Sequence, residues 1–388
     1  MTIGIDARFF GPRGKGLGRY TQKLIEELEK IDTQNDFVIF LRRENFDEYQ
    51  PQNPRFKKVL SDYRWYTLAE QIFLPGKICR QKTDLMHFPH FNVPIFYFGR
   101  YIVTIHDLIL RHFATKRAST LGPLTYWFKH LAYRLVIWLA IWRAQKIITV
   151  SQYVKQDIIK CFGVVPEKII VTYEGAAETI KSQDLTAGGQ DITGKYKIKK
   201  PYLLYVGNAY PHKNLEQLIG AFGILLERHK KDLQLVLVGE DDYFYQRLRS
   251  QNNTAVQKMV QSQKIIFTGF VPDKQLAVLY QNAKLYVFPS LCEGFGLPPL
   301  EAMAHGLPVA ASFATCLPEI LGEAAIYFDA QNCQDIAEKI KEVLENEGLR
   351  KKLISKGFEQ IKKYSWLKMA KETLKIYGRV KFDTEERF

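Results

Sequence analysis

No Cys-x-x-C pair occurs in this 388-residue chain, and its five cysteines (Cys79, Cys161, Cys292, Cys316, Cys333) are odd in number and far apart. That spacing excludes a disulfide framework and points to reduced thiols in a cytosolic protein. No apolar run approaches the ~20 residues of a membrane span. No repeat appears at solenoid or propeller periods. No charged leader with a cleavage site precedes the first strand-like segment, so a secretory signal is not expected. No Asp-x-Asp occurs either; Glu240-Asp241-Asp242 lacks that spacing, and a metal-bridged diphosphate is not expected. Apolar residues are not short: 46% are hydrophobic and 25% charged, which excludes global disorder. At roughly 150 residues per domain the length suggests two domains, perhaps three.

Acidic residues are scarce in one stretch. Residues 51–150 hold 15 Lys and Arg against 4 Asp and Glu, a net +11 of the chain's +14. An anionic lipid surface, a nucleic acid or a phosphorylated substrate would each suit that field, as would a merely solubilising surface. No nucleic-acid-binding motif accompanies it. Within the stretch, residues 121–146 (LGPLTYWFKHLAYRLVIWLAIWRAQK) set Trp127, Trp138 and Trp142 among Leu and Ile, with Lys129, His130, Arg134 and Arg143 interspersed. The pattern reads as an interfacial amphipathic helix, or as a core helix, or as a helix with one face of each kind.

Short β-rich runs at Ile3–Ala7, Phe37–Leu41, Asp84–Phe88, Ile102–Ile105 and Lys146–Val150 alternate with helical patterns such as Gly18–Ile31. Residues 176–200 are polar and aperiodic and read as a linker. A second alternation follows: strands at Tyr202–Val206, Leu233–Val238, Lys264–Phe267, Leu285–Phe288 and Pro308–Ala310, with helices between and after them. Two such sets predict an α/β protein of two Rossmann-like, doubly wound parallel-sheet domains facing a cleft. The expected division is 1–175, linker 176–200, 201–363, and a C-terminal helix over 364–388 that returns to the first domain.

The strongest chemical signal is PSLCEGFGLPPLE, residues 289–301. A strand ends, a Gly-rich loop follows, and Pro298 and Pro299 suit a helix start. Backbone N–H groups of Gly294, Phe295, Gly296 and Leu297 at that helix start make an anion site suited to a diphosphate. Glu293 and Glu301 stand eight apart, the second expected in the first helical turn. Carboxylates there suit sugar hydroxyls rather than phosphate. A plainer reading makes Glu301 a helix-dipole partner and Glu293 a solvated loop residue.

The Glu-x7-Glu spacing within EGFGLPPLEAMAHGLPVAAS resembles the signature of retaining glycosyltransferases of the two-Rossmann (GT-B) type, family 4. GPRGKGLGRY (11–20), TIHDL (104–108), VSQYVKQDI (150–158), GNAYPHKNL (207–215) and LPEILGEAA (317–325) agree with it in order along nearly the whole chain. The resemblance implies that Glu293 meets donor-sugar hydroxyls and Glu301 the ribose. It implies that Lys213 pairs with the diphosphate, that Gly269, Phe270 and Val271 hold the base, and that His106 contacts the transferred sugar. Gly16 and Gly18 would let the first-domain loop approach the ligand. Asn208 and His212 stand where many members carry an arginine, so Lys213 is expected to act with His212. His87 and His90 resemble a lining segment; too few ligands accompany His87, His90 and His106 for a zinc site.

The implied activity is hexose transfer from a nucleotide diphospho-sugar, GDP-mannose favoured, to a glycan or lipid-linked acceptor. It needs no metal or cofactor and runs on the cytoplasmic face of an anionic membrane. The alternatives are a GT-B phosphorylase or sugar-phosphate synthase, and a non-enzymatic basic membrane- or nucleic-acid-binding module.

Overall fold

The computed structural model describes residues 1–11, 14–113, 123–176, 192–199, 201–250 and 254–385. Most of the expected linker, the middle of the first glycine loop (12–13) and the start of the tryptophan-rich segment (121–122) lie outside them. The chain divides into two compact units, Met1–Gly175 with Tyr364–Phe388, and Ala176–Lys363.

The first unit holds a seven-stranded sheet: β1 (Thr2–Asp6), β2 (Asp36–Leu41), β3 (Phe56–Leu60), β4 (Leu85–Phe88), β5 (Tyr101–Ile105), β6 (Lys146–Thr149) and β7 (Ile169–Val171). Their spatial order is β3-β2-β1-β4-β5-β6-β7, and every pairing is parallel. The second unit holds β8 (Tyr202–Val206), β9 (Gln234–Val238), β10 (Ile265–Gly269), β11 (Leu285–Phe288), β12 (Val309–Ser312) and β13 (Ala325–Phe328) in the order β10-β9-β8-β11-β12-β13, also all parallel. Both sheets are doubly wound and reverse direction once, between β1 and β4 and between β8 and β11. Such a reversal leaves a crevice at the carboxyl ends of the two strands, where ligands of this architecture bind.

The central strands are apolar on both faces, as strands covered by helices on each side must be. All five residues of β5 and of β9 are buried, as are all four of β11. Three strands that no sequence pattern had marked, β3, β7 and β13, stand at sheet edges. β3 is broken by Lys57 and Lys58, whereas β7 (Ile169–Val171) and β13 (Ala325–Phe328) are apolar but only three and four residues long.

The helix Pro123–Arg143 has two faces. Ile137, Ala140 and Ile141 are buried in the first unit's core, while Trp127, Leu131, Leu135, Trp138 and Trp142 are about half exposed. Those five follow one another at intervals of three or four residues, the spacing of one helical face. No described helix is long and apolar enough to cross a membrane.

The C-terminal helix Trp366–Glu385 packs on the first helix, Lys15–Ile31. Tyr377 Oη lies 2.8 Å from His87 Nδ1, and His87 Nε2 lies 2.8 Å from Thr104 Oγ1. Burial pushes the His87 ring down to about 3, so it stays neutral inside the core.

Candidate active site

The second unit's reversal point is built by the loops that leave β8 and β11. After β8 the chain makes a single helical turn, Pro211–Lys213, ended by Asn214 in the left-handed conformation (φ +60°). Asn214 ties that turn in place, its side-chain amide donating to the carbonyls of Pro289 (3.1 Å) and Ala330 (2.7 Å). The Leu291 N–H donates to the His212 carbonyl at 2.7 Å, joining the turn to the Gly-rich loop.

That loop ends at Gly296, whose φ of +94° excludes most side chains, and opens the helix Leu297–Ala304 with prolines in its first turn. A Cβ on Gly296 would also press on Leu317 at 2.9 Å. Gly294 and Phe295 precede it, Phe295 buried, with its carbonyl accepting from the Cys316 thiol at 3.3 Å. Glu301 is the fifth residue of this helix, past the first turn where the sequence reading had put it. The dipole reading loses its basis there, because the effect fades beyond the first turn. Tyr280 holds the carboxylate, its hydroxyl donating to Glu301 Oε2 at 3.2 Å.

Glu293 and Lys213 meet. Lys213 Nζ lies 2.5 Å from Glu293 Oε1, and both side chains are nearly buried, at 14% and 9% exposure. Glu293 is therefore not a solvated loop residue. Its backbone N–H donates to Thr315 Oγ1 at 3.0 Å, and Thr315 follows β12 in a left-handed conformation (φ +51°). No local pattern flags Thr315, Tyr280 or Asn214 in the sequence, since each matters through a partner distant in the chain.

His212 is buried, and burial together with the Lys213 charge drives its ring down to about 4, Glu293 opposing. It is neutral near pH 7, so Lys213 alone supplies the turn's positive charge. Asn208 accepts at both of its oxygens from its own neighbourhood: the Tyr205 hydroxyl donates to its carbonyl (2.7 Å) and the Tyr210 N–H to its Oδ1 (3.3 Å). Gly269 ends β10 with φ +72°, Phe270 is 70% exposed, and Val271 is buried. These three follow the carboxyl end of the edge strand β10, as Lys213 and Glu293 follow the carboxyl ends of the central strands β8 and β11.

In the first unit, Gly16 meets nothing within 4 Å of an added Cβ, whereas Gly18 would strike the Gly11 carbonyl at 2.1 Å and the Phe9 carbonyl at 2.5 Å. Gly18 thus allows the close packing of helix on loop. His106 follows β5. Its Nδ1 faces Glu174 Oε1 and its Nε2 the Pro89 carbonyl, each at 3.0 Å, with Tyr20 edge-on to the ring. Both ring nitrogens of His106 are thus engaged by protein oxygens. His87, His90 and His106 do not gather as metal ligands. Among the described residues one grouping with metal-ligand geometry occurs, His112, Asp157 and Cys161, held together by its own bonds.

Two family profiles match the chain: "Glycosyltransferase Family 4" over residues 14–177 and "Glycosyl transferases group 1" over residues 190–360. O-antigen chain mannosyltransferase B of Escherichia coli is 27% identical over 91% of this chain and 87% of its own length. The sucrose-phosphate synthase of Thermosynechococcus elongatus superposes with a TM-score of 0.75 at 20% identity, covering 98% of this chain and 99% of that one. HepE of Anabaena, solved in complex with UDP-glucose, superposes with a TM-score of 0.72 at 15% identity, covering 97% and 99%. At those identities the two structures speak for the fold alone.

Proposed function

From the chain's membership of the family 4-like glycosyltransferases of the GT-B type, we propose that its second unit binds a nucleotide diphospho-sugar and that the enzyme transfers a hexose with retention to a glycan or lipid-linked hydroxyl. Mannose from GDP-mannose is the favoured donor, on the strength of the mannosyltransferase relative. The observation that carries the reading is the Lys213–Glu293 pair beside the start of the helix Leu297–Ala304, with Glu301 one helical turn further in.

The pair explains how one site holds both a diphosphate and a sugar. Without donor, each charge neutralises the other in a place poor in water. A diphosphate competes for Lys213, and the freed Glu293 carboxylate accepts hydrogen bonds from sugar hydroxyls. Lys213 and the N–H groups of Gly294–Leu297 then meet the charge that grows on the leaving diphosphate. The bond from C1 to the phosphate oxygen breaks, and a bond from C1 to the acceptor oxygen forms on the same face. The acceptor proton passes to the departing phosphate oxygen. No protein nucleophile and no metal ion is assigned a step, and His106 borders the sugar. Glu301, held by Tyr280, accepts from ribose hydroxyls, and Gly269–Val271 border the base.

A thermal-shift panel of GDP-, UDP-, ADP- and dTDP-sugars tests the donor. A ligand at ~100 times its dissociation constant adds about 2.7 kcal/mol of stability. A shift with none of them overturns the reading, and a shift with UDP-sugars alone replaces mannose.

The same proposal places the first unit on an anionic membrane. The exposed face of Pro123–Arg143 carries three tryptophans with Lys129 and Arg134 beside them, in the stretch of net +11. Each basic group near such a surface contributes about 1 kcal/mol, and the tryptophans add a salt-resistant part. Because Trp138 and Trp142 are about half exposed, replacing both by Ser leaves the fold intact and removes that part. Failure of the wild-type protein to sediment with anionic vesicles at low salt would sink this placement.

A further inference from the structure

β5 and β6 pair in parallel, so the segments that leave their carboxyl ends start next to one another. The segment after β5 ends its short helix, Ile109–His112, on a histidine. The segment after β6 forms the helix Gln152–Phe162, whose Asp157 and Cys161 stand four residues apart and so share one face. The three side chains meet. His112 Nε2 lies 2.7 Å from Asp157 Oδ2, and the Cys161 thiol donates to Asp157 Oδ1 at 3.5 Å. One ligand atom from each residue falls within 4.8 Å of the other two. The His112 side chain is 35% exposed and that of Asp157 11%, so the group opens to solvent on the histidine side.

None of the three is buried, and the transfer site gives them no task. An imidazole nitrogen, a carboxylate oxygen and a sulfur at this spacing are the donor set of a borderline-soft divalent ion. Zinc bonds of about 2.0–2.3 Å meeting at tetrahedral angles hold such donors about 3.3–3.6 Å apart. The sulfur–oxygen distance already has that value, and the nitrogen–oxygen pair needs to open by about 0.6 Å. Burial and the Asp157 carboxylate hold the proton on the Cys161 sulfur, while the Arg111 guanidinium opposes them. Arg111 itself lies over the Phe162 ring, 5.3 Å from its centroid. The carboxylate that disfavours a bare thiolate is the neighbour whose charge a dication neutralises.

We propose that His112, Asp157 and Cys161 form a zinc site with three protein ligands and a fourth position left to water. On binding, the thiol releases its proton to solvent. Bonds to the metal form from Cys161 Sγ, His112 Nε2 and one Asp157 oxygen, in place of the two hydrogen bonds. The imidazole is neutral, with its proton on Nδ1, and no electron is transferred. A thiolate and an imidazole select against Mg²⁺ and Ca²⁺, which take oxygen ligands. The ion ties the helix Ile109–His112 to the helix Gln152–Phe162, cross-links the segments that follow β5 and β6, and so stabilises the first unit. It is assigned no step in sugar transfer, and the proposal stands apart from that reading.

The test titrates the full chain, reduced and freed of metal by a chelator, with Co²⁺, which reports a thiolate ligand by an intense charge-transfer absorption. The wild-type protein should bind one ion per chain with that band. Zn²⁺ should displace the cobalt and bleach the band, and Mg²⁺ should not. Cys161→Ser should abolish the band, and His112→Ala should weaken Zn²⁺ binding roughly tenfold or more. Cys79→Ser, at another exposed thiol, should leave the band as it is. Zn²⁺ should raise the melting temperature of the wild type and of Cys79→Ser, and leave that of Cys161→Ser unchanged. Circular dichroism of the metal-free variants separates loss of a ligand from loss of fold, and the wild-type titration decides the matter even where a variant unfolds. Absence of the thiolate–cobalt band in the wild type, its persistence in Cys161→Ser, or its loss in Cys79→Ser overturns the site.

Discussion

The two units present the same kind of crevice with different charges behind it. Where β8 meets β11, the loops carry glycines, a helix start and one desolvated Lys–Glu pair within reach of solvent. Where β1 meets β4, Gly11 and Gly14 also precede a helix, Lys15–Ile31, but Phe9 and His90 stand there above a sealed Arg8–Asp6–Glu70 network. The difference lies in the state of the charges. Arg8 and Glu70 are wholly buried and saturated by their own partners, so they serve as a foundation. Among the described residues Lys213 and Glu293 form their ion pair with each other alone, while Lys213 also lies over the Phe288 ring, and an incoming anion or hydroxyl can take the place of the paired charge. One topology thus carries two charge arrangements, because the sheet sets the position and the loops set the side chains.

The comparison breaks most visibly by removing a foundation charge. Arg8→Met should destabilise the protein by about 3–5 kcal/mol, the cost of leaving buried carboxylates unpaired. Urea unfolding measures it, and a loss below 1 kcal/mol would put Arg8 among ordinary surface ions instead. Lys213→Ala should do the reverse. The fold should hold while turnover falls at least a hundredfold, since preorganised charge at a leaving group is worth roughly 3–4 kcal/mol. Initial rates at saturating donor decide the matter, and activity within threefold of wild type removes Lys213 from the chemistry. EDTA should leave these rates unchanged; a loss restored by Mn²⁺ would overturn the metal-free step.

Glu301→Ala should weaken nucleoside diphosphate binding by roughly 1.5–3 kcal/mol, the worth of a hydrogen bond to a charged group. Calorimetry with the bare nucleotide separates it from Glu293→Ala, which should spare that affinity and slow transfer. Equal effects on affinity would merge the two carboxylates into one role.

Acid sharpens the contrast more gently, through one histidine in each unit. Unfolded, both rings take up a proton as pH falls below 6.5; folded, burial keeps His87 neutral to about 3 and His212 to about 4. The unfolded chain binds more protons in that window, so stability is complete above pH 6.5 and declines as pH drops through it. At pH 5 each ring should account for about 2 kcal/mol. Denaturant midpoints at pH 7 and pH 5 give the slope, and His87→Gln should flatten it. A slope unaffected by that substitution would mean His87 is reached by water.

Much of this architecture is legible before folding. The buried central strands announce themselves as unbroken apolar runs, and Leu285–Phe288 and Tyr202–Val206 fall where those runs predict. The edge strand β3 escapes notice because Lys57 and Lys58 interrupt it, and β7 and β13 because three or four apolar residues are too short a run to tell a strand from a turn of helix. Glycines are legible as needs but not as reasons: Gly296 opens a helix, whereas Gly18 merely clears its own loop. The charge state of His212 depends on burial beside Lys213, which no residue spacing conveys.

The sequence by itself determined the alternation of strand and helix, the Gly-rich start of Leu297–Ala304, and the order of motifs that resembles family 4. These are written in intervals of two to eight residues, over which chain geometry dictates which side chains share a face. Only the tertiary structure decided that Lys213 meets Glu293 across 80 residues and that His87 meets Tyr377 across 290. It also decided that His112 meets Asp157 and Cys161 from a separate helix. Those meetings follow from strand order. The crossovers that place β8 beside β11 and β1 beside β4 are set by how whole layers cover one another's apolar surface, a condition no short stretch of chain contains.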